Sequence, residues 1–110
     1  MLPLGWRVIK KMETIIREEM DAIGGQEIFM PSMSPRDIWE TTGRLEKMDS
    51  LFEARGANEV SRKVNDASYV LGATHEEMVT PLVQKHVFSY RDLPTAVYQI
   101  QNKFRNEPRP

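Results

Sequence analysis

Two stretches of this 110-residue chain carry side chains able to do chemistry: Thr74-His75-Glu76-Glu77, and the segment from Gln99 to Glu107. In the second, Arg105 and Glu107 fall on one side of an extended backbone, about 6.6 Å apart. A guanidinium fork matches a phosphate or carboxylate with two parallel hydrogen bonds. A carboxylate accepts from an exocyclic amine. Together they can hold the phosphate and base ends of a nucleotide. Gln99, Gln101 and Lys103 continue that polar face at a two-residue period, which suits either a solvated strand edge or a pocket floor. In the first stretch, Thr74 and Glu77 have the spacing of a capping box: Thr74 would accept from the Glu77 backbone N–H, and Glu77 would reach back to the N–H of Thr74. That reading needs no function, and it leaves Glu76 unassigned. Two adjacent carboxylates are electrostatically favoured at a helix N-terminus, so this stretch alone does not demand a site.

Other chemistries are excluded. His75 and His86 sit eleven residues apart, about 16 Å along a helix, too far to grip one ion. Val79 occupies the place of the second histidine in an H-E-x-x-H pair. No metal site is therefore expected. The chain has no glycine-rich phosphate loop, no cysteine and no serine in a G-x-S-x-G elbow. Any reaction must run on charge and positioning.

Composition sets the frame. Apolar residues make up 40 % and charged residues 28 %, and fifteen basic against sixteen acidic side chains leave a formal charge of -1. This is a globular composition. It argues against a nucleic-acid-coating protein, which is normally basic, while leaving RNA contact through a local patch open. Absence of cysteine fits a reducing compartment, no apolar run approaches the ~20 residues of a membrane span, and the first residues lack a signal-peptide layout. The expected location is the cytoplasm, with no membrane partner.

The elements that must position these residues follow from periodicity. Val8, Met12, Ile15, Ile16, Met20 and Ile23 have helical spacing and predict a helix over about 4–23, ended by Gly24-Gly25, with the stripe packed as core. A strand is expected over 26–30, closed by Pro31. In "SPRDIWETTG", Ser34 reads as a cap, Pro35 as the first helical residue, Asp37 as the third and Gly43 as the stop. Strands are expected over 51–56 and 68–73, joined by a polar loop at 57–67. A helix follows over about 75–87, interrupted by Pro81, and then a turn at "YRDLP". A last strand carries Ala96, Tyr98, Ile100 and Phe104 on one face. Consecutive strands point to an α+β fold, an antiparallel sheet with flanking helices, rather than alternating βαβ units.

Several of these stretches, taken in order, resemble one family. "LPLGWRVIKKMETIIREEM", "GGQEIFMPSMSP", "GATHEE" and "LPTAVYQIQNKFRNEPRP" are similar to the catalytic core of the prolyl-tRNA synthetases, which are class II aminoacyl-tRNA synthetases. The resemblance covers nearly the whole chain as one partial catalytic domain over 1–110. The part at about 4–31, ending at Pro31, resembles motif 1, the dimer element. Residues 74–77 match the signature that separates prolyl enzymes from threonyl and seryl ones. The part at about 95–110, with its F-R-x-E pattern, resembles the first half of motif 2. The resemblance implies that Thr74 and Glu76 line a proline pocket, with Glu76 facing the ring ammonium. It implies that Arg105 meets the proline carboxylate and the ATP α-phosphate as the catalytic residue, that Glu107 accepts from the adenine amine, and that Arg109 lies near the phosphates. ATP, with Mg2+ accompanying it, proline and tRNA(Pro) would be the partners of the complete protein, and a homodimer its assembly.

By the same resemblance Pro110 falls inside the motif 2 loop, and motif 3, the anticodon-binding domain and any editing insertion lie outside the chain. A fragment without aminoacylation activity of its own is expected, with marginal stability from an open sheet edge and half a core. The alternative is a non-catalytic class II-like module for dimerisation or regulation. The matching Thr74, Glu76, Arg105 and Glu107 do not favour it.

Overall fold

The computed structural model describes residues 2–108. Its elements are α1 (Pro3–Ala22), β1 (Gln26–Glu27), β2 (Met33–Pro35), α2 (Arg36–Thr41), α3 (Arg44–Lys47), β3 (Phe52–Ala54), α4 (Glu59–Val64), β4 (Tyr69–Leu71), α5 (Glu76–His86), a 3-10 turn (Tyr90–Asp92) and β5 (Val97–Tyr98). They fall into two compact units. One runs to Phe29 and resumes over Val87–Gln101; the other holds Met30–His86 and the chain from Asn102.

In the first unit, α1 forms where the apolar periodicity predicts it. It ends in a Schellman motif: Gly24 takes a left-handed φ of +83°, its N–H bonds the Asp21 carbonyl, and the Gly25 N–H bonds that of Met20. Gly25 must also lack a side chain, because a Cβ there would lie 2.8 Å from the Met20 oxygen. Arg17 ties the helix to β1 through Glu27 at 2.8 Å. Tyr98 donates to Asp21 at 2.8 Å, and burial together with that carboxylate pushes its phenol up to about 12. The apolar stripe of α1 does not pack as core. Val8, Met12, Ile15 and Ile16 are each roughly half exposed, because two short strands give this unit no face broad enough to cover them. β1 pairs with β5 in parallel, Gln26 against Val97 and Glu27 against Tyr98. This departs from the expected all-antiparallel sheet. The connection between the two strands is the long crossover that parallel pairing requires.

The second unit holds every buried apolar side chain among the described residues: Met30, Trp39, Val70 and Ala73. Its sheet is antiparallel in the order β2-β4-β3. Central Val70 faces Ser34 on one side and Glu53 on the other. The hairpin read at 51–56 and 68–73 is present as β3 and β4, each three residues long.

Three local expectations change here. Ser34 is not a helix cap. It lies in β2, and its hydroxyl accepts from Trp39 Nε1 at 2.8 Å while donating to the Val70 carbonyl at 3.3 Å. Pro35 ends the edge strand, where its missing N–H costs nothing, and α2 starts at Arg36 without a side-chain cap. The strand expected over 26–30 is only Gln26–Glu27. The loop at 57–67 contains α4, capped by Asn58 Oδ1 accepting from the Ser61 N–H at 2.9 Å.

Candidate functional site

Thr74, Glu76, Arg105 and Glu107 all lie in the second unit. The turn that carries the first two leaves β4 at Gly72 and enters α5 at Glu76. Gly72 is required for space. A Cβ there would sit 2.9 Å from His75 Nε2 and 3.3 Å from the Thr74 carbonyl oxygen. His75 is buried, with its Nδ1 against Lys103 Nζ and its ring bonded to the Pro31 carbonyl. A neutral imidazole satisfies both, accepting from the ammonium and donating to the carbonyl. Burial, and then Lys103, hold its pKa below the usual histidine range. Burial also lowers that of Lys103, against the opposing pull of Glu76. Both ring contacts are structural, so His75 serves as the peg of the turn.

The segment after Gln101 is not a regular strand. It lies along the turn through isolated bonds, Phe104 N–H to the Gly72 carbonyl at 3.0 Å and Asn106 N–H to that of Ser50 at 2.9 Å. These fix Arg105, whose Nε donates to the Ala73 carbonyl at 3.2 Å, one residue from Thr74. Arg105 and Glu107 point the same way, with Nη1 and Oε1 3.9 Å apart. Both side chains are about half exposed, open to a ligand. The polar face expected to run from Gln99 to Glu107 is divided, since Gln99 and Gln101 belong to the first unit. Arg109 lies outside the described residues.

The capping box is not formed. Thr74 Oγ1 is buried with no hydrogen-bond partner, and so is Glu77 Oε2. Glu77 Oε1 is taken by Arg44 Nη1 at 2.8 Å and Thr42 Oγ1 at 3.4 Å. Burial wins over capping because Glu77 turns inward to a guanidinium held against Trp39. The helix accordingly begins at Glu76, later than a Thr74 cap would place it. Glu76 projects outward with its side chain 68 % exposed. The Thr74 hydroxyl lies beside it. With the Glu76 backbone amide and the Arg44 guanidinium, that hydroxyl holds the Glu76 carboxyl below the usual carboxylate range. The turn therefore offers an exposed, ionised carboxylate, with a buried hydroxyl beside it and a guanidinium bonded one residue from that hydroxyl. Chemically, a carboxylate such as Glu76 is suited to an ammonium and a guanidinium such as Arg105 to a carboxylate or phosphate.

Two residues of this site escape a reading of the sequence alone. Arg44 follows Gly43, whose left-handed φ of +68° turns the chain into α3, and only a contact 33 residues away along the chain reveals its role. Lys103 reads as part of a solvated face but meets His75. Among the described residues no group of three His, Asp or Glu side chains is gathered to hold a metal.

No protein-family model matches the chain. It is 50 % identical over 110 residues to the proline–tRNA ligase of Anaeromyxobacter sp. (strain Fw109-5), covering 99 % of this chain and 18 % of that protein. Identity is 49 % to the proline–tRNA ligase of Dehalococcoides mccartyi (strain BAV1) and 47 % to that of Caldicellulosiruptor saccharolyticus, with the same coverage. The chain thus spans about a fifth of the length of the curated relatives it matches. Among solved structures it is similar to the RNA binding domain of threonyl-tRNA synthetase from Cryptosporidium parvum, with a TM-score of 0.82, 23 % identity, and coverage of 96 % of this chain and 25 % of that one. It is also similar to Giardia lamblia prolyl-tRNA synthetase in complex with prolyl-adenylate, with a TM-score of 0.80, 21 % identity and coverage of 96 % and 21 %. At these identities the structures speak for the fold.

Proposed function

We propose that this chain, similar to proline–tRNA ligases along nearly all of its length, is a partial class II catalytic domain that binds proline and ATP in a proline–tRNA ligase. The observation that supports the proposal is the bond from Arg105 Nε to the carbonyl of Ala73, the residue before Thr74 in the turn that leads to Glu76. In this reading Glu76 receives the secondary ammonium of proline, since a cation withdrawn from water needs an anionic partner. The Thr74 hydroxyl contributes to the same end of the ligand. Arg105 holds the proline carboxylate against the α-phosphate of ATP, Glu107 accepts from the adenine amine, and Arg109 lies near the phosphates.

The reaction is in-line attack of the proline carboxylate oxygen on the α-phosphorus, forming prolyl-adenylate and releasing pyrophosphate. A terminal hydroxyl of tRNA(Pro) then takes the prolyl group and AMP leaves. No protein nucleophile takes part. The chain supplies positioning and a positive charge where phosphoryl charge builds. Mg2+ belongs to the nucleotide substrate in this scheme. The apolar stripe of α1 and the segment ending at Pro31 are the parts proposed to pair in a homodimer, and the proposed location is the cytoplasm. No helix among the described residues is long and apolar enough to cross a membrane.

The test is titration of the chain with proline, followed by the backbone amide shifts of Thr74 and Glu76. Proline shifts both signals and threonine does not. Glu76→Gln removes the effect. Proline-dependent shifts that survive Glu76→Gln contradict the pocket.

A further inference from the structure

We propose that Arg44 is a positioning residue for the ammonium pocket, aiming Glu76 at its ligand while Glu77 holds Arg44 in place. This inference rests on the reading that Glu76 receives the ammonium of proline, and it gives a role to two residues which that reading leaves idle.

The guanidinium is held on four sides. Nη1 donates to Glu77 Oε1 at 2.8 Å and to Glu76 Oε2 at 3.4 Å. Nη2 lies 3.1 Å from Met48 Sδ, and the plane sits 5.6 Å from the centre of the Trp39 ring. The distances rank the two carboxylates. Glu77, whose side chain is 1 % exposed, has the short bond, while Glu76 has the long one. Arg44 is therefore neutralised chiefly by the glutamate that solvent and ligand cannot reach. The ranking matters because a bare guanidinium beside Glu76 would repel an incoming ammonium. With Arg44 held by Glu77, the outward carboxylate of Glu76 keeps its charge for an incoming cation. A cavity of about 280 Å3, lined by Thr42, Arg44, Glu76, Glu77, Thr80 and Pro81, adjoins the cluster. It leaves the guanidinium room to swing onto Glu76 if Glu77 loses its charge.

The titratable groups around Glu76 are Arg44 from α3, Glu77 and the neutral His75 from its own turn, and Lys103 from the segment along it. Two substitutions act on this set in opposite senses. Glu77→Gln frees Arg44 to pair with Glu76. The Glu76 carboxyl then titrates lower, yet proline binds more weakly because it must displace an arginine. Arg44→Met combined with Glu77→Gln removes the guanidinium without stranding a buried charge, an exchange that buried pairs commonly tolerate. Glu76 then titrates higher, and proline again binds more weakly because the carboxylate is no longer aimed. The loss of affinity is about two- to fivefold in each, the scale of one partly exposed ion pair.

The experiment follows the Glu76 side-chain carboxyl carbon by NMR across pH in the ligand-free chain, and proline affinity by amide shifts, for both variants and for Glu76→Gln. Opposite movements of the Glu76 midpoint, with weakened proline binding in both variants, are expected. A merely structural Arg44 would not move the midpoint in two directions. If Glu76→Gln abolishes binding while both other variants keep the wild-type midpoint and affinity, the role of Arg44 is overturned alone. If Glu76→Gln leaves binding intact, or the wild-type chain binds no proline, the pocket reading is overturned and this inference with it.

Discussion

The pairing of Ser34 with Trp39 lends itself to a decisive perturbation, because the local sequence argues for a different role. As a cap, Ser34 would stabilise α2 independently of Trp39. In the structure its hydroxyl is instead the acceptor for a fully buried indole N–H at 2.8 Å, with a weaker bond to the Val70 carbonyl at 3.3 Å. Ser34→Ala leaves that N–H unsatisfied in the core, which costs about 1–3 kcal/mol. In a Trp39→Phe background no N–H remains to strand. The same substitution then loses only the long bond to Val70, at about 0.5 kcal/mol or less. The double-mutant cycle should therefore show a coupling of about 1–2 kcal/mol. In thermal unfolding, each kcal/mol appears as a shift of roughly 4–8 °C for a domain of this size. Circular dichroism is the suitable probe, since Trp6 in α1 would confuse the fluorescence. Equal costs of Ser34→Ala in the two backgrounds would refute the pairing and restore the cap.

Gly72→Ala pushes a methyl group to 2.9 Å from a histidine ring already held on two sides. We expect a loss of about 1–3 kcal/mol in urea unfolding; a change near zero would mean that the ring yields. The folded chain holds His75 neutral, so the unfolded chain takes up that proton first as pH falls. The stability contributed by His75 is complete above the unfolded value of 6.5 and is lost as pH drops through it towards the lower folded value. The lowered carboxyls of Glu76 and Glu53 withdraw their share only as pH falls below 4.5. A urea midpoint that rises between pH 7.5 and 5.5 would contradict this. The chain by itself is expected to support no proline-dependent ATP–pyrophosphate exchange; robust turnover abolished by Arg105→Ala would show the site to be complete as it stands.

Helix α1, its glycine stop and the β3–β4 hairpin are legible in the sequence because each is set by local physics: a 3.6-residue apolar period, a left-handed glycine and two short apolar runs. The cap at Asn58 was equally local, but it is masked by the polar character of its surroundings. Other features are decided at long range. "SPRD" carries a helix-start signature, yet Ser34 is claimed by the edge strand and by Trp39. "THEE" carries a capping box, yet Glu77 is claimed by Arg44, a residue 33 positions earlier. Local signatures lose where a buried partner offers a stronger bond. The parallel pairing of β1 with β5 likewise depends on the chain returning after some seventy residues, which no short window contains. Within the candidate site, the residue types and their order were readable, whereas the peg formed by His75 and Lys103 and the clamp formed by Arg44 were not.

We propose above that this chain supplies the proline- and ATP-binding part of a ligase. The most direct measurement replaces the matching segment of the Anaeromyxobacter sp. proline–tRNA ligase with this chain and follows proline-dependent ATP–pyrophosphate exchange. Exchange is expected with proline and not with threonine, and is lost on Glu76→Gln and on Arg105→Ala. A folded chimera that exchanges nothing, or one whose exchange survives both substitutions, would contradict it.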